Sequence, residues 1–235
     1  MKYIILKIFL LIVFIIFMSY VNVYLRTPLN DQEPFNSKRD KEEETIILIG
    51  DSILKNDLYV NNNSSIEHLI NQNDVTCVNF AQDGAVITDC FYQLEKIPSK
   101  LNNKHTTIYL SVGGNDIIDR YIERKTPTKN TDALNKMFQN YKKLVKSIQI
   151  KMDLSKLILI DIYYPPETFY KKYHGIINKW NNILYKYASE QKNNIYEVLK
   201  VSEIMNQKRD FVYSIEPSET GGEKIVNLII DNMND

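Results

Sequence analysis

Hydrophobic positions along the chain follow three kinds of pattern. From Ile8 to Leu25 the sequence reads IFLLIVFIIFMSYVNVYL, eighteen residues without a charge. Further on, Thr45–Ile49 (TIILI), Val75–Phe80, Thr106–Val112 (TTIYLSV) and Lys156–Tyr163 (KLILIDIY) are short, mainly apolar runs rich in β-branched residues. Such runs predict strands of a parallel sheet covered on both faces. The third pattern is helical. Leu134, Met137, Phe138, Tyr141, Leu144, Val145 and Ile148 form a period-3.6 stripe within Thr131–Met152, and Ile176–Ala188 and Glu223–Ile230 read the same way. A short strand at Ile195–Val198 brings the set to five. Strand and helix alternate, which predicts an α/β domain with a mainly parallel sheet.

The first pattern stands apart from this domain. At about 1.5 Å per residue the Ile8–Leu25 run nearly spans a hydrocarbon core, so it predicts one N-terminal transmembrane helix. A cleaved signal peptide is the alternative. It would have a shorter apolar stretch and small residues before the cleavage point, whereas this one exits through SYVNVYLR. Lys2 and Lys7 favour a cytosolic N-terminus and a lumenal or extracellular domain, although Arg26, Lys38, Arg39 and Lys41 dilute the asymmetry. Two prolines and mixed charges make Thr27–Glu44 a polar linker. The expected organisation is therefore a membrane anchor or signal peptide at 1–26, a linker at 27–44 and a globular domain at 45–235. The expected location is a single-pass membrane protein with the bilayer as a partner.

Composition narrows the chemistry. Lys+Arg 29 balances Asp+Glu 29, which argues against a nucleic-acid binder. Two cysteines, Cys77 and Cys90, rule out a disulfide scaffold and a four-cysteine zinc site. Three histidines leave little room for a histidine-rich metal site, and no motif calls for a cofactor.

In open α/β sheets, sites form beyond the carboxyl ends of the strands. The first strand is followed by Gly50-Asp51-Ser52, the second by Asn79 to Ala85 with Gly84 inside it, and the third by Gly113-Gly114-Asn115-Asp116. Each is an ordinary turn or cap in isolation. In order at successive strand ends, they converge on one crevice. A serine on a strand-to-helix turn presents its hydroxyl beside free N–H groups. A glycine lets the backbone approach closely, and an asparagine adds an amide donor. One hydroxyl nucleophile with three donors is the core of an acyl-transfer site.

This ordered set, Gly-Asp-Ser, then a lone Gly, then Gly-x-Asn-Asp, resembles the SGNH (GDSL-type) hydrolase family over roughly Thr45 to Asp235. The resemblance implies a three-layer α/β/α sandwich with five parallel strands, an ester substrate and no cofactor. It implies Ser52 as nucleophile, with the Ser52 N–H, Gly84 and Asn115 as the oxyanion hole. The fourth family motif, Asp-x-x-His before Pro-Ser, is replaced. Aligned on Pro217-Ser218, the chain reads Tyr213-Ser214-Ile215-Glu216, so Glu216 stands at the base position and Tyr213 at the orienting one. Asp210 is then a displaced acid or, more simply, a solvated loop residue.

Three readings follow. Glu216 is the base, with its pKa raised above that of free glutamate. Alternatively a histidine substitutes, and His174 is the best placed because it follows the fourth strand, whereas His105 begins the third strand and His68 lies in the first crossover. In the third, hydrolysis is lost and a carbohydrate- or protein-binding module remains. The substrate is left open among sugar O-acetyl, lipid and small esters.

Overall fold

The computed structural model describes residues 43–123, 130–190 and 195–234. Five strands, β1 (Thr45–Gly50), β2 (Thr76–Asn79), β3 (Thr106–Ser111), β4 (Lys156–Ile160) and β5 (Ile195–Leu199), form one sheet in the order β2-β1-β3-β4-β5. Every pairing in it is parallel. The seven α-helices are α1 (Ile66–Asn71), α2 (Asp89–Glu95), α3 (Gly114–Glu123), α4 (Asn130–Lys151), α5 (His174–Glu190), α6 (Val201–Ile204) and α7 (Glu219–Asn234) among the described residues. A two-stranded antiparallel hairpin, β6 (Phe211–Val212) with β7 (Glu216–Pro217), precedes α7.

Strand side chains alternate between two cores. Ile47, Ile49, Ile108, Leu110, Leu157 and Leu159 pack on one face with apolar residues of α2, α3, α4 and α5. Ile46, Leu48, Tyr109, Ile158 and Ile160 pack on the other with α1 and α7. Both faces are covered, which is why the strands read as unbroken apolar runs rather than as alternating ones. The result is the expected three-layer α/β/α sandwich on a five-stranded parallel sheet.

The strand order also locates a crevice. The chain leaves β1 for β2 on one side and returns to β3 on the other side of β1. Loops after β1 and β3 therefore diverge to opposite faces and open a cleft between them, the switch point of this fold type.

One expectation is corrected. Among the described residues no helix is long and apolar enough to cross a membrane. The longest, α4, has 22 residues but carries Lys142, Lys143 and Lys146 on the face opposite its apolar stripe. The single-pass helix, the bilayer as partner and the lumenal or extracellular membrane location are dropped accordingly. The Ile8–Leu25 run lies outside the described residues.

Candidate active site

Ser52 sits on the turn that ends β1. The strand end is held by Gln93 of α2, whose Oε1 accepts from the Gly50 N–H and whose Nε2 donates to the Gly50 carbonyl, both at 2.8 Å. The turn closes when the Leu54 and Lys55 N–H groups donate to the Asp51 carbonyl, each at 3.1 Å. The Asp51 carboxylate braces it further by accepting from the Ile53 N–H at 3.1 Å. This is a single turn and not the start of a helix, since α1 begins only at Ile66. The Ser52 N–H has no acceptor among the described residues.

The loops after β2 and β3 are fastened to each other. Asn115 Nδ2 donates to the Ala85 carbonyl at 3.0 Å, and Asp116 Oδ2 accepts from the Ile87 N–H at 3.0 Å. Asn115 thereby stands beside Gly84 with its second amide hydrogen uncommitted. Gly84 has φ +68°, a left-handed conformation that favours glycine, and a Cβ there would meet nothing within 4 Å. Its N–H likewise has no acceptor among the described residues. Gly84 is exposed and lies outside the wall of the cavity described next.

That cavity, about 40 Å³, is walled by Asp51, Ser52, Asn115, Tyr163 and Glu216 at its polar end. Glu216 arrives on the hairpin. The Tyr163 hydroxyl donates to the Ile215 carbonyl at 2.7 Å, and the Tyr163 ring meets Phe211 edge-on at 5.1 Å, so the buried segment that follows β4 fixes the hairpin. The Glu216 Oε2 atom is buried and accepts no hydrogen bond from the described residues. Burial raises the Glu216 pKa, the neighbouring Ser52 side chain opposes that, and the nearby charge of Asp83 raises it again; the net direction is upward. Asp51, which is 2 % exposed, is moved further. Burial raises its pKa, the Ile53 N–H lowers it, and the charges of Glu216 and Asp116 raise it, leaving it at about 8.

The other residues singled out in the sequence are elsewhere. His174 opens α5, with Nε2 2.8 Å from the Pro165 carbonyl and its ring edge-on to Tyr164 at 5.4 Å; it does not line the cavity. His68 pairs with Gln72 on α1, and His105 with Glu44 at the opposite end of the sheet. Tyr213 occupies the hairpin tip, 73 % exposed and with φ +47°, so it points away from the position of an orienting acid. Asp210 is not a solvated loop residue. It is fully buried, accepts from the Asn206 and Gln207 N–H groups and pairs with Lys224 at 2.8 Å. Burial pushes its pKa up, but Lys224 and the Gln207 N–H outweigh that, and the net shift is downward. Cys77 and Cys90 are buried free thiols. Among the described residues no group of His, Cys, Asp and Glu is placed to hold a metal ion.

Asp51 escaped sequence reasoning. Its adjacency to Ser52 was the available signal, but burial beside a second carboxylate is a tertiary fact.

The comparisons agree with this geometry at the level of family and fold. Residues 46–220 match the family model described as GDSL-like Lipase/Acylhydrolase. A lipolytic protein of the G-D-S-L family from Veillonella parvula superposes with a TM-score of 0.60 at 18% identity, covering 80% of this chain and 97% of that one. The psychrotrophic esterase EstA from Pseudoalteromonas gives a TM-score of 0.59 at 16% identity, covering 82% and 97%. A lipase from a goat rumen metagenome gives 0.62 at 17%, covering 80% and 96%. No curated protein matches the sequence. With the family model spanning the Ser52, Gly84 and Asn115 loops and the Glu216 hairpin alike, the chain belongs to the GDSL-like lipase/acylhydrolase family.

Proposed function

We propose that the protein is a serine ester hydrolase in which Ser52 is the nucleophile and Glu216 takes the place of the histidine base. The observation that supports this reading is that Ser52 and Glu216 line one cavity wall, with the Glu216 Oε2 atom buried and without a donor among the described residues. A carboxylate so placed gains by accepting a proton, and its raised pKa makes it a better acceptor than free glutamate.

The reaction runs in two halves. Ser52 Oγ attacks the acyl carbon and passes its proton to Glu216. The carbonyl oxygen becomes an oxyanion, held by the Ser52 and Gly84 N–H groups and by Asn115 Nδ2. Collapse breaks the bond to the alcohol oxygen, which takes the proton from Glu216 and leaves. Water then attacks the acyl-serine and gives a proton to Glu216. The second collapse returns that proton to Ser52 Oγ and releases the acid. Among the described residues no acid bonds to Glu216 as one does to a triad histidine. A carboxylate has no tautomer to select, so it does not need one.

Treating the protein with an ethyl fluorophosphonate tests the nucleophile. The reading expects covalent labelling of wild type and none of Ser52→Ala. Equal labelling of both, or of neither, contradicts it and favours a binding module on the same fold.

A further inference from the structure

The cavity does not end at the reacting groups. Its wall also includes Ile117, Ile118, Ile162, Pro165, Tyr173 and Ile177. Four of these, Ile117, Ile162, Tyr173 and Ile177, also belong to the core between the sheet and helices α3, α4 and α5. The apolar wall is thus itself packed core, and the cavity cannot extend on that side without repacking it.

We infer that the part of the cavity along this wall is the acyl site, and that it selects esters of short, uncharged acyl chains of two to four carbons. The inference rests on the esterase reading above and gives its substrate class. Three observations carry it. The first is size. At about 40 Å³ the cavity is small beside the roughly 150 Å³ that takes up a benzene ring, so only a short acyl chain fits. The second is direction. Glu216 must hand its proton to the departing alcohol, and Glu216 comes from the hairpin whose tip, Tyr213, stands in solvent. The alcohol therefore leaves past the hairpin and the acyl chain points the other way, toward the apolar wall. The third is charge. Among the described residues the ionisable side chains on the wall besides tyrosines are Asp51 and Glu216, with no Lys, Arg or His among them to receive an anion. An acyl group ending in a carboxylate would enter unpaired and meet two acidic groups. The alcohol half of the substrate faces open space and is left less restricted.

The full-length protein is assayed on p-nitrophenyl acetate, propionate, butyrate, hexanoate, octanoate and hemisuccinate. A site of this size predicts that kcat/KM climbs by about fourfold per methylene from acetate to butyrate, the worth of one buried methylene. It then falls at least about tenfold by octanoate, where further carbons meet core atoms. The hemisuccinate, butyrate's length with a terminal charge, is expected to run at least about tenfold below butyrate. Ile177→Ala enlarges the cavity on that side and moves the optimum to longer chains. Ile118→Phe, at a half-buried wall position that tolerates change better, moves it to acetate. Octanoate turned over as well as butyrate, or hemisuccinate as well as butyrate, overturns the inference. The two failures separate cleanly. A chain-length profile without an optimum in a protein whose Ser52 is labelled by the ethyl fluorophosphonate sinks the acyl site alone. Absence of both labelling and turnover sinks the esterase reading and the acyl site with it.

Discussion

Asp51 and Glu216 share a cavity wall with Ser52, and among the described residues of that wall there is no cation to balance them. Two neighbouring carboxyls under these conditions do not both ionise at neutral pH. Burial raises both, and Asp51 further, so that it keeps a proton to about pH 8. This has a consequence for stability. An aspartate in the unfolded chain ionises near ~3.9. Between that value and about 8 the folded protein binds more protons than the unfolded chain, so stability is greatest below the lower value and declines as pH rises to the upper one. Glu216, also raised, adds to the loss in the same direction. Asp51→Asn retains an acceptor for the Ile53 N–H and removes the ionisation. It is expected to stabilise the fold at pH 8 by on the order of a few kcal/mol, with little effect at pH 4. Urea unfolding at the two pH values measures it. A variant that loses stability with pH as steeply as wild type would clear Asp51 of this role.

At the scale of elements, the site depends on how the hairpin is moored to α7. Ser218 caps α7 by accepting from the Gly221 N–H at 3.2 Å, while its hydroxyl donates to the Arg209 carbonyl at 2.6 Å. Gly221 lies so close to the Asp210 carbonyl that a Cβ would stand 2.2 Å from its oxygen. Lys224, one turn on, pairs with the Asp210 carboxylate. Gly221→Ala must push α7 away from the segment that leads into β6. We expect a loss of about 1–3 kcal/mol in thermal or urea unfolding, the usual cost of overpacking, together with reduced ester turnover because Glu216 moves with the hairpin. Unchanged stability would show that the mooring is looser than described. The same contact explains where the sequence was hard to read. Gly221-Gly222 looks like a break before a helix at Glu223, yet α7 starts at Glu219, because both glycines serve close packing and not a turn. Strands were legible because burial on both faces leaves an unbroken apolar run; β4 was drawn too long because Asp161, Ile162 and Tyr163 stay buried after leaving the sheet. The order of the Ser52, Gly84 and Asn115 loops was legible because it follows chain order along the strand ends. His174 was not: its place after β4 says nothing of its ring, which turns to the Pro165 carbonyl. Asp210 and Asp51 carry no local pattern that distinguishes a buried carboxyl from a solvated one.

For the molecule as a whole, the parallel sheet supplies the crossing point between β1 and β3, and four separate segments deliver side chains to it. The family model covers all four, and in the proposed reading Glu216 stands at the base position, a departure from the family pattern that the sequence resemblance implies. The central claim is that this departure preserves hydrolysis, with Glu216 accepting the proton of Ser52. The most direct measurement is kcat/KM for p-nitrophenyl butyrate against pH, for wild type and Glu216→Gln side by side. Glutamine keeps the size and removes the acceptor. The account predicts that wild-type activity rises with pH through one ionisation above the ordinary glutamate value, and that the glutamine variant, still folded, falls by about 10²–10⁴-fold and loses that limb. A folded Glu216→Gln protein with wild-type turnover and the same pH profile would contradict it.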